Sequence, residues 1–543
     1  MHDPLAFVAG MSLGFEQANL DFAAHWMKAF DQVGDARTVK VLERVYRDEV
    51  RHVAHGVRWL RLLKDPAQDD WTAWTQALKF PMTPRRARGP EFQDQARLKA
   101  GLDESFVQRL RGVGHSRGRP PRVYWFTPWL EEQLAGHATP NKGLLGLAAD
   151  LAPCLRFVAS DDDLIIVPRV PSAAFQAQIA QTSRTTPQMV QGDRPTVEII
   201  GDRPIHSLHP WGWSPITMRS VATVLPMVQS PPSFEPQWEL LSRKDHAATV
   251  LSQLPDDPRI DRVAGLVLRD VDDLRAAIER WPSTVLKAPL SASGRHRRRV
   301  EHELSDADVR WFGTTVRTQG AVVVEPWRTR LLDLSLHATV TDQGVRVDAI
   351  TRFFTDARGR YRGTSMDRWT RGLPPQLLRW IHQERGWVDD ALTAALTAGL
   401  TDCPSYRGPI SLDAFICSID GATRLRPLVE LNPRPTFGRV ALGVRRQMID
   451  PKASAVWLLA DQRSAERAGL NDLRHLASAL QRELPSRGVP LQRGARLTTD
   501  PNTCERVITF VLAGSTWSDV QRQWAAFTAH RPSLASWISD VDR

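Results

Sequence analysis

Residues Ser411 to Arg439 read SLDAFICSIDGATRLRPLVELNPRPTFGR, and this stretch decides the fold around it. Ser411 to Ile419 is apolar and rich in strand-forming residues, and Asp420-Gly421 is a strong signal for a tight turn. Leu425 to Leu431 then resumes an apolar strand. The pattern therefore predicts two antiparallel strands joined in a hairpin.

Three side chains of this hairpin carry oxygen atoms that favour a hard metal ion. Alternation places Glu430 and Asn432 on one face of the second strand, and the hairpin lets Asp413 approach them from the first. Two carboxylates and an amide oxygen suit Mg²⁺ carrying nucleotide phosphates better than Zn²⁺, which prefers His or Cys. Arg434 follows where it would meet a phosphate or an acyl phosphate. An ordinary hairpin with solvated acids is the alternative interpretation.

With Asp413 followed by Glu430-Leu431-Asn432-Pro433-Arg434, the hairpin resembles the ATP-grasp superfamily. The last strands of that superfamily carry an acidic residue and then a Glu-X-Asn-X-Arg motif. The resemblance implies an ATP-dependent, ADP-forming ligase with ATP and Mg²⁺ as cofactors. It gives Asp413, Glu430 and Asn432 the role of holding Mg²⁺, and it makes Arg434 catalytic.

Lysine is scarce in the middle of the chain, where Lys244 and Lys287 are the only lysines between Lys142 and Lys452. In a chain that uses arginine as its main cation, lysine retained at two places suggests a compact ammonium group aimed at a phosphate. Both positions match the superfamily. The resemblance implies that both lysines bind the triphosphate and that Lys287 also takes part in catalysis.

The segment Ser291 to Arg295 matches the flexible loop of the superfamily. Its small residues, Ser293 and Gly294, would let backbone amides approach the nucleotide, and Arg295 would add a catalytic positive charge. The neighbouring run Arg297 to Arg299 is either an anion-binding cluster or a solvated face.

Ala321 to Trp327 is predicted to be a buried strand that ends in a hinge. In the superfamily the adenine bonds to hinge backbone groups, which here lie near Glu325 and Trp327. An acid a few residues later takes the ribose hydroxyls, and Asp333 falls at that spacing. Arg352 is a further candidate ligand for a phosphate or a carboxylate.

Proline and tryptophan are unusually dense in His209 to Pro215, which reads HPWGWSP. We interpret this segment as a loop close to the substrate, and a rigid structural loop is the alternative.

Near the N-terminus two long helices are predicted, from about Asp3 to Phe30 and from about Asp35 to Leu63. A spacing of three and four residues puts Glu16 in the apolar stripe of the first helix and Glu49 and His52 in that of the second. Burying such groups without partners is costly, and a metal ion is one way to offset the cost. The rest of the predicted stripes consists of Leu13, Leu20, Ala23, Met27, Phe30, Leu42, Val45, Gly56 and Trp59.

From about Phe7 to Leu110 the chain resembles an uncharacterised ferritin-like family. The similarity covers Asp48-Glu49-Val50-Arg51-His52-Val53 and the later Arg88-Gly89-Pro90-Glu91-Phe92. That family carries two further helices ahead of these, with a second Glu-X-X-His, and the sequence here starts without them.

Glu16, Glu49 and His52 would therefore supply half of a di-metal site for Fe or Mn. A homodimer through the N-terminal helices would complete the site, because a two-fold axis pairs each stripe with itself. Three alternatives stay open: a hairpin used for packing or dimerisation without metal chemistry, helices from Trp71 to Leu110 that fold back over the stripe, and a true gene start upstream.

Composition limits the class of protein. The 543 residues carry a net charge of +10, but the basic residues are spread along the chain without a nucleic-acid-binding motif, so we expect no nucleic-acid partner. No apolar run approaches the roughly 20 residues that a membrane span needs. The segment MHDPLAFVAG has no basic signal region, and the 4 cysteines form no Cys-X-X-Cys pair. A cytoplasmic protein with reduced thiols is expected.

The predicted fold class is α+β and multidomain, with a helical ferritin-like hairpin module followed by an ATP-grasp α/β fold. A helix from about Pro451 to Ala468, a second helix, a strand and a closing helix should complete the sheet or cover its edge. The predicted domains are a partial ferritin-like module at 1–112, a pre-ATP-grasp α/β domain at 120–238, an ATP-grasp domain at 239–470 and a C-terminal α/β extension at 471–543.

The leading functional hypothesis is an ATP-dependent ligase that joins a carboxylate to an amine through an acyl phosphate. Its substrates would be a small-molecule or peptide carboxylate and an amine, neither identified by the sequence. One alternative is a di-metal oxidase or hydroxylase with an auxiliary nucleotide-binding domain. Another is a non-catalytic nucleotide-binding scaffold.

Overall fold

A computed structural model describes residues 3–79, 82–111, 113, 119–136, 142–200, 204–263, 265–291, 296–356 and 359–538. The chain divides into two compact units. The first consists of Met1–Trp125, Leu155–His209 and Val221–Pro232, and the second of Phe126–Cys154, Pro210–Ser220 and Ser233–Arg543.

The α-helices of the described residues follow in chain order. They are α1 (Pro4–Gly10), α2 (Gln17–Gln32), α3 (Ala36–Leu63), α4 (Asp70–Ala77), α5 (Asp94–Lys99), α6 (Glu104–Arg111), α7 (Leu130–Leu134), α8 (Lys142–Leu151), α9 (Ala173–Thr182), α10 (Val197–Ile200), α11 (Pro215–Ser220), α12 (Lys244–Gln253), α13 (Val271–Arg280), α14 (Asp306–Gln319), α15 (Pro375–Ile381), α16 (Trp387–Gly399), α17 (Phe437–Met448), α18 (Gln462–Arg467), α19 (Leu473–Glu483), α20 (Trp517–Thr528) and α21 (Pro532–Ala535).

The strands of the described residues form three sheets. They are β1 (Arg122–Trp125), β2 (Leu164–Val167), β3 (Gln188–Gln191), β4 (Ser207–Pro210), β5 (Leu266–Leu268), β6 (Ser283–Lys287), β7 (Arg297–Glu301), β8 (Val322–Pro326), β9 (Thr329–Thr341), β10 (Gly344–Thr355), β11 (Tyr361–Ser365), β12 (Gly408–Ile419), β13 (Ala422–Asn432), β14 (Ser454–Asp461), β15 (Gly494–Leu497) and β16 (Val507–Gly514).

The first unit contains the predicted pair of long helices as α2 and α3, with a π-helical turn at Met11–Glu16 between α1 and α2. Leu13 and Leu20 are fully buried in a core that also contains Trp74 of α4 and Phe106 of α6. Later helices of the same chain therefore cover this part of the stripe, as the fold-back alternative proposed. The ferritin-like assignment and the homodimer stay predictions.

The packed face of α3 differs from the predicted stripe. Val45 and Trp59 are 38% and 40% exposed, whereas Val53 and Leu60 are fully buried. Glu49 belongs to both the predicted and the observed face. The observed face is otherwise rotated about the helix axis by about one residue relative to the predicted one. The apolar residues Val53 and Leu60 decide the orientation because burying them removes more apolar surface from water.

A sheet of order β3-β2-β1-β4 completes the first unit, and β1, β2 and β3 run parallel. In the second unit a sheet of order β5-β8-β6-β7 is antiparallel. The other sheet of that unit has the order β13-β12-β9-β10-β11-β14-β16-β15, and its neighbouring strands are antiparallel as well.

The hairpin predicted at Ser411 to Leu431 is confirmed as β12 and β13. Asp420 and Gly421 both have positive φ values, 50° and 80°, at the turn. Two consecutive positive φ values match the twist of an antiparallel pair, and Asp-Gly is a favoured sequence for that turn. The turn thus sets the pairing next to it, and an irregularity between Asp413 and Phe415 then shifts the register so that Asp413 pairs with Glu430.

The helix predicted from Pro451 to Ala468 is wrong in its first half. The run SAVWLLAD forms β14, whose residues Ser454 to Ala460 are all buried between β11 and β16. An apolar run of this length suits a fully buried strand as well as a helix segment, and its two strand neighbours decide the outcome here. The tail does complete the sheet as expected, through β16 and β15.

Across the described ranges, no helix has both the length and the apolar character that crossing a membrane requires.

Candidate active site

A cleft in the second unit collects the predicted Mg²⁺ ligands together with both predicted lysines and Arg434. Its volume is about 220 Å³, and residues of both antiparallel sheets line it. The predicted residues among its lining are Lys244, Lys287, Asp413, Glu430, Asn432 and Arg434.

The carboxylates of Asp413 and Glu430 face each other across β12 and β13. The two residues are direct partners in the antiparallel register, and Asn432 pairs with Ser411 two positions along. Burial raises the pKa of Asp413 to about 8, and the negative charge of Glu430 adds to this effect. Burial also acts to raise the pKa of Glu430, but the charges of Lys244, Lys287 and Arg434 outweigh it and hold this pKa low. The cluster is thus a pair of opposed acids, one of which is driven to keep a proton.

Lys244 is the cation that contacts this pair. It begins α12, and its Nζ lies 2.8 Å from Oε2 of Glu430. The same Nζ donates a hydrogen bond of 2.5 Å to the carbonyl oxygen of Ser291, the first residue of the predicted phosphate loop. Lys244 therefore connects Glu430 to the start of that loop.

Lys287 ends β6 on the other sheet, and its ammonium group is buried. Its Nζ lies 2.6 Å from Oε2 of Glu325, and Nη2 of Arg426 lies 3.4 Å from the same oxygen. Burial lowers the pKa of Lys287, while the charge of Glu325 acts in the opposite direction. The sequence analysis considered Glu325 only for its backbone groups. Its side chain is the ion-pair partner of Lys287.

The residues predicted to hold adenosine do not line the cleft. The backbone N–H of Trp327 donates to the carbonyl of Ser283 at 2.8 Å, and the Asp333 carboxylate accepts a hydrogen bond from Arg330 at 2.8 Å. Glu325 is engaged as described, so each of the three predicted residues has a partner within the protein. Their nucleotide contacts stay predictions.

Ser293, Gly294 and Arg295 lie outside the described residues. Of the adjacent arginines, Arg297 lines the cleft, whereas Arg298 pairs with Asp308 and Arg299 with Glu301. The arginine run is therefore divided between the cleft and local ion pairs.

Arg434 is held by a residue that the sequence did not indicate. Its Nε and Nη2 both donate to Oε1 of Glu131, at 3.0 and 2.8 Å, and Glu131 is 5% exposed. Two hydrogen bonds to one carboxylate fix the plane of a guanidinium group as well as its position. Glu131 lies on α7, 303 residues before its partner, so no local motif could have identified it.

Arg352 is not a cleft residue, contrary to the prediction. It is 0% exposed, and its guanidinium carbon lies 4.7 Å from the ring centre of Trp517. Thr351 and Phe353, its neighbours on β10, line the cleft instead. Successive side chains of a strand point to opposite faces, so Arg352 belongs to the far side of the sheet.

Sequence reasoning also missed an aromatic part of the cleft, for which no motif is known to us. The segment His209 to Pro215 gave the one signal, because its Trp211 lies in the cleft wall. The aromatic lining residues are Phe126, Trp211, Phe353, Tyr361 and Phe437.

In the first unit the proposed di-metal residues come together only partly. Nδ1 of His52 lies 3.3 Å from Oε2 of Glu49 and 4.0 Å from Oε1 of Glu16, and Asn19 donates to Glu49 at 3.0 Å. The His52 side chain is 55% exposed, because α3 is turned relative to the prediction. Within the described ranges, no group of three or more His, Cys, Asp or Glu side chains is arranged to hold a metal ion. A metal in this module stays a prediction.

Comparisons with known proteins add two kinds of similarity. A family model described as a protein of unknown function (DUF455) matches residues 1–108. No curated protein matches the chain.

Similar solved structures include N5-carboxyaminoimidazole synthetase from Staphylococcus aureus complexed with ADP, at 10% identity and a TM-score of 0.43, covering 76% of this chain and 96% of that one. Carboxyaminoimidazole ribonucleotide synthase from Aspergillus clavatus, complexed with ATP, is 12% identical with a TM-score of 0.42, covering 76% and 98%. Biotin carboxylase from Campylobacter jejuni is 11% identical with a TM-score of 0.43, covering 75% and 91%.

Proposed function

We propose that the chain is an ATP-dependent carboxylate–amine ligase that works through an acyl phosphate. The observation that carries the proposal is the meeting of Asp413, Glu430 and Asn432 with Lys244 and Lys287 in one cleft. Opposed carboxylates beside ammonium groups form a site for a metal-bound polyphosphate, because each charge there needs a counter-charge.

The donor set of the cleft fits Mg²⁺. Asp413 and Glu430 offer carboxylate oxygens and Asn432 an amide oxygen, all of them hard ligands. Burial and the charge of Glu430 both raise the pKa of Asp413, and a divalent cation bound by the two carboxylates would offset both effects. When bound, Mg²⁺ would neutralise the phosphate oxygens during phosphoryl transfer.

The protein side chains would act by position and charge. Lys244 and Lys287 would contact non-bridging phosphate oxygens, holding the γ-phosphorus in line with an oxygen of the substrate carboxylate. That oxygen bonds to the γ-phosphorus as the bond to the β–γ bridging oxygen breaks, and ADP leaves. The amine nitrogen then attacks the acyl carbon, inorganic phosphate departs, and the nitrogen loses a proton.

Arg434 is the group best placed to neutralise the acyl phosphate. It adjoins the carboxylate pair, and the charges of Glu430 and Asp413 both act on its guanidinium group. Glu131 would keep the guanidinium plane fixed while the phosphoryl group changes its bonds. Arg434 is thus proposed as the catalytic arginine and Glu131 as its positioning residue.

The test is a screen for ADP release over amino acids and small acids with amine acceptors, followed by mass spectrometry of the product. We expect Glu430→Gln to abolish ADP release while the thermal unfolding curve stays close to that of the wild type. Asp420→Asn is a matched control, since Asp420 is an exposed acid of the same hairpin and asparagine tolerates its positive φ. Unchanged ADP production in Glu430→Gln would contradict the metal assignment.

A further inference from the structure

The cleft has a second wall made of aromatic rings in contact with one another. Ring centres of Phe126 and Trp211 are 4.7 Å apart, those of Trp211 and Phe437 5.3 Å, and those of Phe437 and Tyr361 5.7 Å. Phe353 extends the series at 6.4 Å from Tyr361. We call these five residues the aromatic wall.

The aromatic wall is built from distant parts of the second unit. Phe126 follows β1, Trp211 lies in the proline-rich loop after β4, and Tyr361 begins β11. Phe126 and Trp211 are 4% and 3% exposed, so they support the wall from behind. Tyr361, Phe353 and Phe437 are only half-buried, so part of their apolar surface faces the cleft.

The wall adjoins the reactive end of the cleft. Phe437 opens α17 three residues after Arg434, and burial together with the charge of Asp413 raises the pKa of Tyr361. The phenol of Tyr361 lies 2.7 Å from Oγ1 of Thr364, so its polar end has a partner within the protein. Tyr361 therefore contributes its apolar ring to the cleft lining, while its hydroxyl is already hydrogen-bonded.

Phosphate groups do not use such a surface, because charged oxygens lose hydration against apolar rings without gaining hydrogen bonds. Lys244 and Lys287 already supply the cationic end of the cleft. A planar ring fits the wall better, since stacked and edge-to-face ring pairs add about 0.5–1.5 kcal/mol beyond their apolar area.

We propose that the carboxylate substrate is an aromatic acid, whose ring packs against the aromatic wall while its carboxylate reaches Arg434 and the Asp413–Glu430 pair. This inference rests on the proposed ligase function and names the class of its acid substrate. Phe437 and Tyr361 are then specificity-determining residues, and Trp211 holds Phe437 in place.

The test measures ADP release and hydroxamate formation with hydroxylamine as the amine. The acids are benzoate, phenylacetate and 3-phenylpropionate, each beside its cyclohexyl analogue of equal chain length, together with the amino acids and small acids of the screen for ADP release. In the reaction the acid and ATP form the acyl phosphate and ADP, and the hydroxylamine nitrogen then displaces inorganic phosphate from the acyl carbon with loss of a proton. We expect kcat/KM for the best aromatic acid to exceed that of its cyclohexyl analogue by about tenfold.

Two variants of adjacent residues separate specificity from stability. Phe353→Leu alters the wall, whereas Phe354→Leu makes the same change on the opposite face of β10, where Phe354 stacks 6.0 Å from Trp517. We expect Phe353→Leu and Phe437→Leu to reduce the preference for aromatic acids about three- to tenfold. Phe354→Leu should lower the melting temperature and leave the preference unchanged.

Each other outcome decides against the inference in a recognisable way. Equal use of cyclohexyl acids, or activity confined to acids without a ring, overturns the aromatic assignment and leaves the ligase function standing. Wall variants that raise KM for ATP but not for the acid would place adenine on the wall and overturn the inference too. Absence of ADP release with any acid overturns both proposals.

Discussion

Replacing Lys287 with methionine should separate two roles of one ammonium group. The side chains of Lys287 and Glu325 are 8% and 9% exposed and only 2.6 Å apart. Removing one partner of a buried ion pair costs about 3–5 kcal/mol of folding stability. Arg426 still neutralises Glu325 from 3.4 Å, so we expect a loss near the lower bound, about 3 kcal/mol.

Adding Glu325→Gln to Lys287→Met should restore much of this stability. The second change removes the carboxylate charge that the first leaves behind, and Arg426 keeps Asp261 as a partner at 3.3 Å. Nucleotide binding should not recover, because the phosphate contact of Lys287 is still missing. A charge-assisted hydrogen bond contributes about 1.5–3 kcal/mol, which predicts a Kd for ATP about ten- to a hundredfold higher in both variants.

Urea unfolding gives the stability of each variant, and calorimetry with Mg²⁺ and ATP gives the affinity. Lys452→Met serves as the control, since Lys452 is exposed and should affect neither quantity. Wild-type ATP affinity in the double variant would refute the reasoning, because it would make Lys287 a purely structural partner of Glu325.

Three further predictions concern other parts of the chain. Burial lowers the pKa of His337 to about 3, so between about pH 6.5 and pH 3 the unfolded chain binds a proton that the folded chain excludes. The free energy of unfolding should therefore fall by about 1.4 kcal/mol per pH unit below 6.5. Urea titrations of His337→Gln at several pH values should show a smaller change of unfolding free energy with pH. Gly438→Ala should destabilise the fold by about 1–3 kcal/mol, because its Cβ would lie 2.4 Å from the His337 ring. The control Gly313→Ala on α14, whose Cβ would lie 3.6 Å from its nearest neighbour, should be neutral or stabilising. Thermal unfolding of both variants measures the difference. Metal analysis after anaerobic reconstitution with Fe or Mn should find metal that Glu49→Gln removes. Equal metal content in wild type and variant would eliminate Glu49 as a ligand.

The candidate site residues that the sequence placed together, and that the structure brings together, are those that local rules control. Asp420-Gly421 dictates a turn with positive φ, and alternation then sets Glu430 and Asn432 on the face that Asp413 shares. All of these residues lie within one hairpin. Their common face follows from these local rules, whereas the direct pairing of Asp413 with Glu430 also needs the irregularity between Asp413 and Phe415.

Long-range contacts were the ones that sequence reasoning missed. Glu131 reaches Arg434 across 303 residues, and nothing around either residue indicates the pairing. The ion pair of Lys287 with Glu325 could more nearly have been predicted. Lys287 pairs with Val323 on the antiparallel strand β8, and Glu325 is two residues further along that strand. Diagonal neighbours of this kind lie within reach of long side chains, so a correct pairing of β6 with β8 would have indicated the ion pair.

The error at Arg352 shows what residue type alone leaves undecided. Asp413 pairs with both Glu430 and Ser335, and Ser335 pairs with Thr351, so a polar row crosses β13, β12, β9 and β10 beneath the cleft. Arg352 stands one position beyond Thr351 and therefore on the other face, however well an arginine would suit a phosphate. A shift of one residue along the strand thus moves a side chain to the opposite face of the sheet, whatever its chemical suitability for a phosphate. Candidates on strands of this sheet have to be judged by whether they fall in register with Asp413 before their charge is considered.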